Sequence, residues 1–218
     1  MPTITDLPPS TWLLVLAAYL LGSVSGSLVL GRRRGVDIRT LGSGNAGGTN
    51  ALRTQGWRFA SGVVLVDIGK GALAAWLALR FAPVGSALSV TAHGYLAAFA
   101  AIVGHIWPLW HGFRGGKGAA TLVGALAVLW PLAVALVVLA WMATVLASGY
   151  VGLATVVAAL VLPVLAWTTE ASLPRLAFAC AAAALLLWTH RGNLARLRAG
   201  TESRFARARL LHRWRRGR

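Results

Sequence analysis

The chain has 218 residues, of which 57% are apolar and only 12% charged, with a mean hydropathy of +0.69. A soluble domain carries about 25% charged residues, so a soluble fold is excluded, and a bilayer must supply the apolar environment. Net charge is +16, from 21 Lys and Arg against 5 Asp and Glu, an excess explained first by the collection of basic residues in cytoplasmic loops.

In chain order, apolar runs occur at 11–31, 59–82, 86–110, 119–147, 150–168 and 173–189. The long runs of about 20 residues have the length of a membrane-spanning helix. The first run lacks a basic start and is followed by Arg32-Arg33-Arg34, so it is read as a retained span rather than a signal peptide. Three basic segments, 32–58, 111–118 and 191 onward, are expected on the cytoplasmic side. The start of the chain and the connection near Ala82-Pro83 are expected outside. An outside N-terminus and an inside C-terminus require an odd number of spans, and six runs do not give one. Trp130-Pro131 interrupts the long 119–147 run, and proline breaks a helical ladder. Splitting there gives an all-α bundle of seven transmembrane helices. The alternative is five, with 150–168 absorbed into its neighbours. The expected organisation is one transmembrane domain over 1–202 and a basic cytoplasmic tail over 203–218.

Three segments carry chemistry. The first, Leu41 to Asn50, holds four glycines, and its exposed N–H groups suit an anion nest. Ser43, Asn45, Thr49 and Asn50 add neutral donors, and Arg53 adds a forked cation. A flexible Gly/Ser/Asn loop is the plainer alternative. The second, His111 to Thr121, sets Gly115, Gly116, Lys117 and Gly118 before a helix, a recurrent phosphate arrangement. It is not a Walker A loop, because His111 and Gly118 occupy positions that need Gly and Ser/Thr. The third, His190 to Glu202, places His190 and Asn193 three apart, sharing a helix face. All three on one membrane face would suit an anionic substrate.

Asp67 and Lys70 lie three apart inside an apolar span and are read as an internal ion pair. His93 and His105 have no carboxylate or Cys at ligand spacing, so no metal site is expected. Cys180 is a lone core cysteine. The tail arginines with Leu210, Leu211 and Trp214 suit a helix on anionic lipid, and no base-reading motif speaks for nucleic acid.

These motifs resemble the bacterial membrane glycerol-3-phosphate acyltransferases that use acyl phosphate, the PlsY family. The matching text is VDIRTLGSGNAGGTNALR (36–53), GHIWPLWHGFRGGKGAAT (104–121), HRGNLARLRAGTE (190–202) and VDIGKGAL (66–73). The resemblance implies a small seven-span helical bundle in the bacterial cytoplasmic membrane, with its active site on the cytoplasmic face. It implies acyl transfer from acyl phosphate to glycerol 3-phosphate, giving lysophosphatidate and phosphate, with no metal or other cofactor. Ser43, Arg53, Lys117, His190 and Asn193 match essential family positions, and Gly44, Asn45, Thr49, Asn50, Gly115, Gly116 and Gly118 fall in its substrate loops. Glu202 matches its structural glutamate, and Asp67 and Lys70 are structural or site-supporting.

The sequence departs from the family at Gly22–Gly26, where a proline is usual, and at Gly149-Tyr150-Val151-Gly152, where Arg-Tyr-Val-Ser is common. Thr155 is a candidate replacement for part of that polarity. Ser43 sits in no G-x-S-x-G elbow and is read as a binder, not a nucleophile. The base is either His190 or a substrate phosphate oxygen. An acyl-CoA enzyme would carry His-x-x-x-x-Asp, which is absent. A small membrane anion or phosphate transporter is the alternative from another class.

Overall fold

The computed structural model describes residues 7–205. Among them are ten α-helices, two short 3₁₀ turns and no strand. The helices are α1 (Pro9–Gly22), α2 (Gly26–Arg32), α3 (Gly48–Gln55), α4 (Trp57–Arg80), α5 (Val90–Ile106), α6 (Ala119–Leu129), α7 (Pro131–Ser148), α8 (Val151–Thr168), α9 (Leu173–Thr189) and α10 (Arg191–Arg198). The chain divides into two compact units, Met1–Trp130 and Pro131–Arg218. The tail beyond Phe205, where a lipid-bound helix was expected, lies outside the described residues.

Four helices are long and apolar enough to cross a membrane alone: α4, α5 with its extension to His111, α7 and α8. Two bent pairs, α1 with α2 (49°) and α9 with α10 (52°), bring the number to six. The protein is therefore an all-helical, multi-pass membrane protein. The break expected at Pro131 is present, because α6 ends at Leu129 and α7 begins at Pro131. However, α6 has 11 residues and is about 16 Å long, well short of a hydrocarbon core of about 30 Å. Length alone thus supports up to six spans, with α6 as a shorter apolar seventh helix. The five-helix alternative fails as framed, since Val151–Thr168 is a helix of its own.

The first apolar run differs from the single span expected of it. It breaks at Ser23–Ser25 without the usual proline. The polar groups freed there must be satisfied internally, since lipid offers no partner. Lys70 donates to the Val24 carbonyl (2.8 Å), and the Gly26 amide donates to Asp67 (3.1 Å).

In the first unit, glycines let helix backbones approach. A Cβ on Gly22 would strike the Ala101 backbone, and one on Gly104 would strike the Tyr19 carbonyl, a reciprocal contact between α1 and α5. Gly71 and Gly124 do the same between α4 and α6, against Thr121 and Ile68. Small residues at helix contacts are the membrane alternative to a hydrophobic driving force. In the second unit, α7 packs on α8 and α8 on α9, and their buried residues include Ala133, Val137, Ala154, Ala158, Ala159, Ala182 and Leu186. The outer faces show large apolar side chains such as Leu65, Trp76, Leu139 and Val164, as a lipid-facing surface requires.

Candidate active site

The first loop is more ordered than its composition suggests. Asp37 caps a 3₁₀ turn, Ile38–Thr40, by accepting the Arg39 amide (2.9 Å). Gly42 and Gly44 hold left-handed backbone, with φ of +57° and +72°. Buried Asn50 then locks the loop: its Oδ1 accepts the Ser43 amide (2.9 Å), and its Nδ2 donates to the carbonyls of Ile38 (3.1 Å) and Leu41 (2.9 Å). Asn50 thus spends both amide hydrogens on holding its own loop. The segment after Gly47, read from sequence as loop, is the helix α3. Thr49 lies in its first turn and Arg53, exposed, in its last. Ser43 and Gly44 are exposed, and the side chain of Asn45 folds against Gly47.

The second loop leaves α5 through Pro108 and a 3₁₀ turn, Leu109–His111. Gly112 and Phe113 are left-handed (φ +65° and +58°). The chain then returns against the end of α5: the Gly115 amide donates to Ile106 (3.0 Å) and the Gly116 amide to His105 (3.1 Å). Gly116 admits no side chain, since a Cβ would strike the His105 ring and lie 3.0 Å from the Ala46 carbonyl. The two loops therefore meet at Gly116 and Ala46. Gly118 (φ +91°) caps α6, with partly buried Lys117 beside it.

Beneath these loops lies a buried ionic group. Lys70 donates to Asp67 Oδ1 (3.1 Å), to His105 Nδ1 (2.8 Å) and to the Val24 carbonyl (2.8 Å). All three ammonium hydrogens are thus used. The expected Asp67–Lys70 pair is present, and His105, which sequence reading set aside, joins it. Its Nδ1 also lies 3.5 Å from Asp67 Oδ1, and its Nε2 faces Gly116. His93 bonds Thr11 (3.0 Å) and the Ser89 carbonyl (3.0 Å). Among the described residues, no His, Cys, Asp and Glu cluster could hold a metal ion.

Arg39 also escaped sequence reading, which took it as a topological charge. It pairs with Asp37 (2.8 Å) and bonds two carbonyls of the second loop. Its guanidinium and amide, bonded to Asp37, hold that carboxyl below the usual range. The signal lay in the Asp-x-Arg spacing of the quoted motif.

The second unit carries the third motif. His190 is not inside a helix, as a shared face with Asn193 implied; it is the junction residue of the α9–α10 bend. Its Nδ1 lies 2.8 Å from the Leu186 carbonyl, which can only accept, so Nδ1 carries a proton, and in the neutral ring Nε2 is the acceptor nitrogen. Asn193 donates to Glu202 Oε1 (2.7 Å), and Arg196 donates to Oε2 (2.8 Å). Gly200 (φ +71°) ends α10 in a Schellman turn, which brings Glu202 back to that helix. Gly152 packs on Asn193, where a Cβ would lie 2.8 Å from the Asn193 side chain. Thr155 does not supply the polarity missing there, since its hydroxyl donates to Val151 (2.9 Å) and accepts from Trp141 (3.3 Å). Arg204 bonds and stacks on Tyr150 (ring centroid 4.7 Å), and the Phe205 amide donates to Gly149 (2.8 Å).

Comparison with known proteins gives the class. A family model described as glycerol-3-phosphate acyltransferase matches residues 12–200, and the chain belongs to this family of membrane enzymes. Among its relatives, the glycerol-3-phosphate acyltransferase of Synechococcus sp. (strain CC9902) is 44% identical, covering 89% of this chain and 95% of the relative. That of Halalkalibacterium halodurans is 41% identical, covering 90% and 96%. More particularly, the fold matches crystal structures of PlsY, an integral membrane glycerol 3-phosphate acyltransferase, at 33% identity over 90% of this chain. The TM-scores are 0.83 for its glycerol 3-phosphate form, covering 96% of that chain, and 0.81 for its lysophosphatidic acid form, covering 95%. The transporter alternative gives way to a membrane acyltransferase of phospholipid synthesis.

Proposed function

We propose that this enzyme takes its acyl group from acyl phosphate and delivers it to the 1-hydroxyl of glycerol 3-phosphate, releasing lysophosphatidate and inorganic phosphate. The supporting observation is the joining of two glycine loops in one unit, with Lys117 on the second and Arg53 in the helix that follows the first. Two phosphate-bearing substrates need two anion sites close together. In this reading, the two cations hold the phosphates together with loop amides other than those of Ser43, Gly44, Phe113, Gly115 and Gly116, which the protein itself bonds. Ser43, Gly44, Asn45 and Thr49 bind substrate, and Asn50, Gly115, Gly116 and Gly118 shape the loops. The 1-hydroxyl attacks the acyl carbonyl directly, and phosphate leaves with the electrons of the acyl–oxygen bond. Loop amides and cations stabilise the charge that develops on the carbonyl and leaving-group oxygens. Positioning supplies much of the remaining acceleration.

His190 and Asn193 are proposed as further requirements for turnover. An imidazole with Nε2 as acceptor has the form a general base needs. The competing acceptor of the hydroxyl proton is a phosphate oxygen of the substrate. Near-normal turnover of His190→Ala at saturating substrate would assign the proton to phosphate. Family membership and the basic segments also support residence in the bacterial cytoplasmic membrane, with the loops on the cytoplasmic side.

The test supplies purified protein with glycerol 3-phosphate and, in separate reactions, acyl phosphate, acyl-CoA and acyl carrier protein thioester. Lysophosphatidate acylated at the 1-position is expected from acyl phosphate alone. Equal product from a thioester donor overturns the donor assignment, and an acyl-enzyme trapped on Ser43 overturns direct transfer.

A further inference from the structure

One side chain ties the turn that opens the first glycine loop to the second loop. Arg39 stands in the 3₁₀ turn that opens the first loop, and its carbonyl lies 3.4 Å from where a Cβ on Gly44 would be. Its guanidinium lies fork to fork on Asp37, with Nε to Oδ1 at 3.0 Å and NH2 to Oδ2 at 2.8 Å. Its NH1 reaches the second loop, donating to the carbonyls of His111 (2.9 Å) and Arg114 (3.2 Å). Those carbonyls bracket the left-handed Gly112–Phe113 turn. Four of the five guanidinium N–H groups are therefore engaged by protein. Asp37 neutralises the charge locally. This is the bonding of a clamp, unlike that of a group offered to phosphate.

We infer that Arg39 is a positioning residue that fixes the spacing of the two glycine loops, and thereby the affinity for glycerol 3-phosphate, without touching it. The inference rests on reading those loops as the phosphate sites. Lysine cannot replace Arg39: an ammonium is a point donor and cannot span a carboxylate and two carbonyls in one plane. The prediction is thus opposite to that for a surface charge that merely attracts anions, where lysine would serve as well.

The test uses the full-length purified protein with a long-chain acyl phosphate and varied glycerol 3-phosphate. Arg39→Lys and Arg39→Gln are each expected to raise KM for glycerol 3-phosphate about tenfold, with kcat within about threefold and an unchanged unfolding temperature. Asp37→Asn combined with Arg39→Gln is expected to be no worse than Arg39→Gln alone, because the two residues form one device. Wild-type KM in Arg39→Lys overturns the clamp, and so does a loss of activity that tracks a fall in unfolding temperature. If Arg39→Gln does not fold, Arg39→Lys carries the test; failure of both to fold makes Arg39 a folding residue and overturns the inference. Lys117→Ala and Gly116→Ala run in parallel. If both keep wild-type kinetics, the loop reading itself fails; if they are impaired while the Arg39 variants are not, only the clamp fails.

Discussion

The helices of the two units are joined by different means. In the first unit, glycine pairs set α1 on α5 and α4 on α6 with backbone against backbone. In the second, the buried residues of α7, α8 and α9 are mostly alanine and larger apolar side chains, and the close glycine contact is Gly152 on Asn193. The contrast fits the work proposed for each region. The first presents backbone amides from two loops, and amides keep a fixed spacing only if the helix ends beneath them cannot slide. The second presents side chains, His190 and Asn193, held by a carbonyl, a carboxylate and a turn.

This contrast can be broken by substitution. The largest effect is expected for Gly124→Leu, whose side chain would enter the Ile68 carbonyl and force α4 from α6. Overpacking of about 1–3 kcal/mol or more should abolish monodisperse protein on gel filtration in detergent. A well-folded variant would show that backbone contact is dispensable. Next, Gly116→Ala should fold but lose about a hundredfold in kcat/KM, because the added methyl separates the loop from His105 and Ala46. Steady-state assay of lysophosphatidate release checks this.

In the second unit, Glu202→Ala leaves the Asn193 amide and the Arg196 guanidinium without their shared acceptor. A loss of about 1–3 kcal/mol is expected, visible as a lower unfolding temperature, with Glu202→Gln recovering part of it. The smallest effect is expected for Thr155→Val, which removes a hydrogen bond to Trp141 inside the membrane. Such bonds average about 0.6 kcal/mol, so stability should shift slightly and turnover should hold. A large loss of turnover in Thr155→Val would reinstate Thr155 as a site residue.

Much of this was legible in the sequence, for identifiable reasons. Membrane helices announce themselves by length and apolarity, and the break at Pro131 by a missing N–H and a ring clash. The Asp67–Lys70 pair was legible because i,i+3 charges on one helix are neighbours whatever surrounds them. The break at Ser23–Ser25 was not, because a helix there is lost to distant partners, Lys70 and Asp67, that satisfy its freed carbonyl and amide. The helix α3 was hidden by the Gly/Asn composition of its start, and the loop-holding role of Asn50 by its resemblance to any other polar loop residue.

The sequence alone determined the membrane class, the helical runs and three glycine-, arginine- or histidine-bearing motifs specific enough to indicate a family. These properties reside in local composition and spacing, which need no partner to exist. Only the tertiary structure decided that Arg39 ties one glycine loop to the other, that His105 belongs to the buried ion pair, and that Glu202 holds Asn193. Each of those facts is a contact set by how the chain folds back, and no periodicity along the chain encodes which carbonyl a given donor will meet.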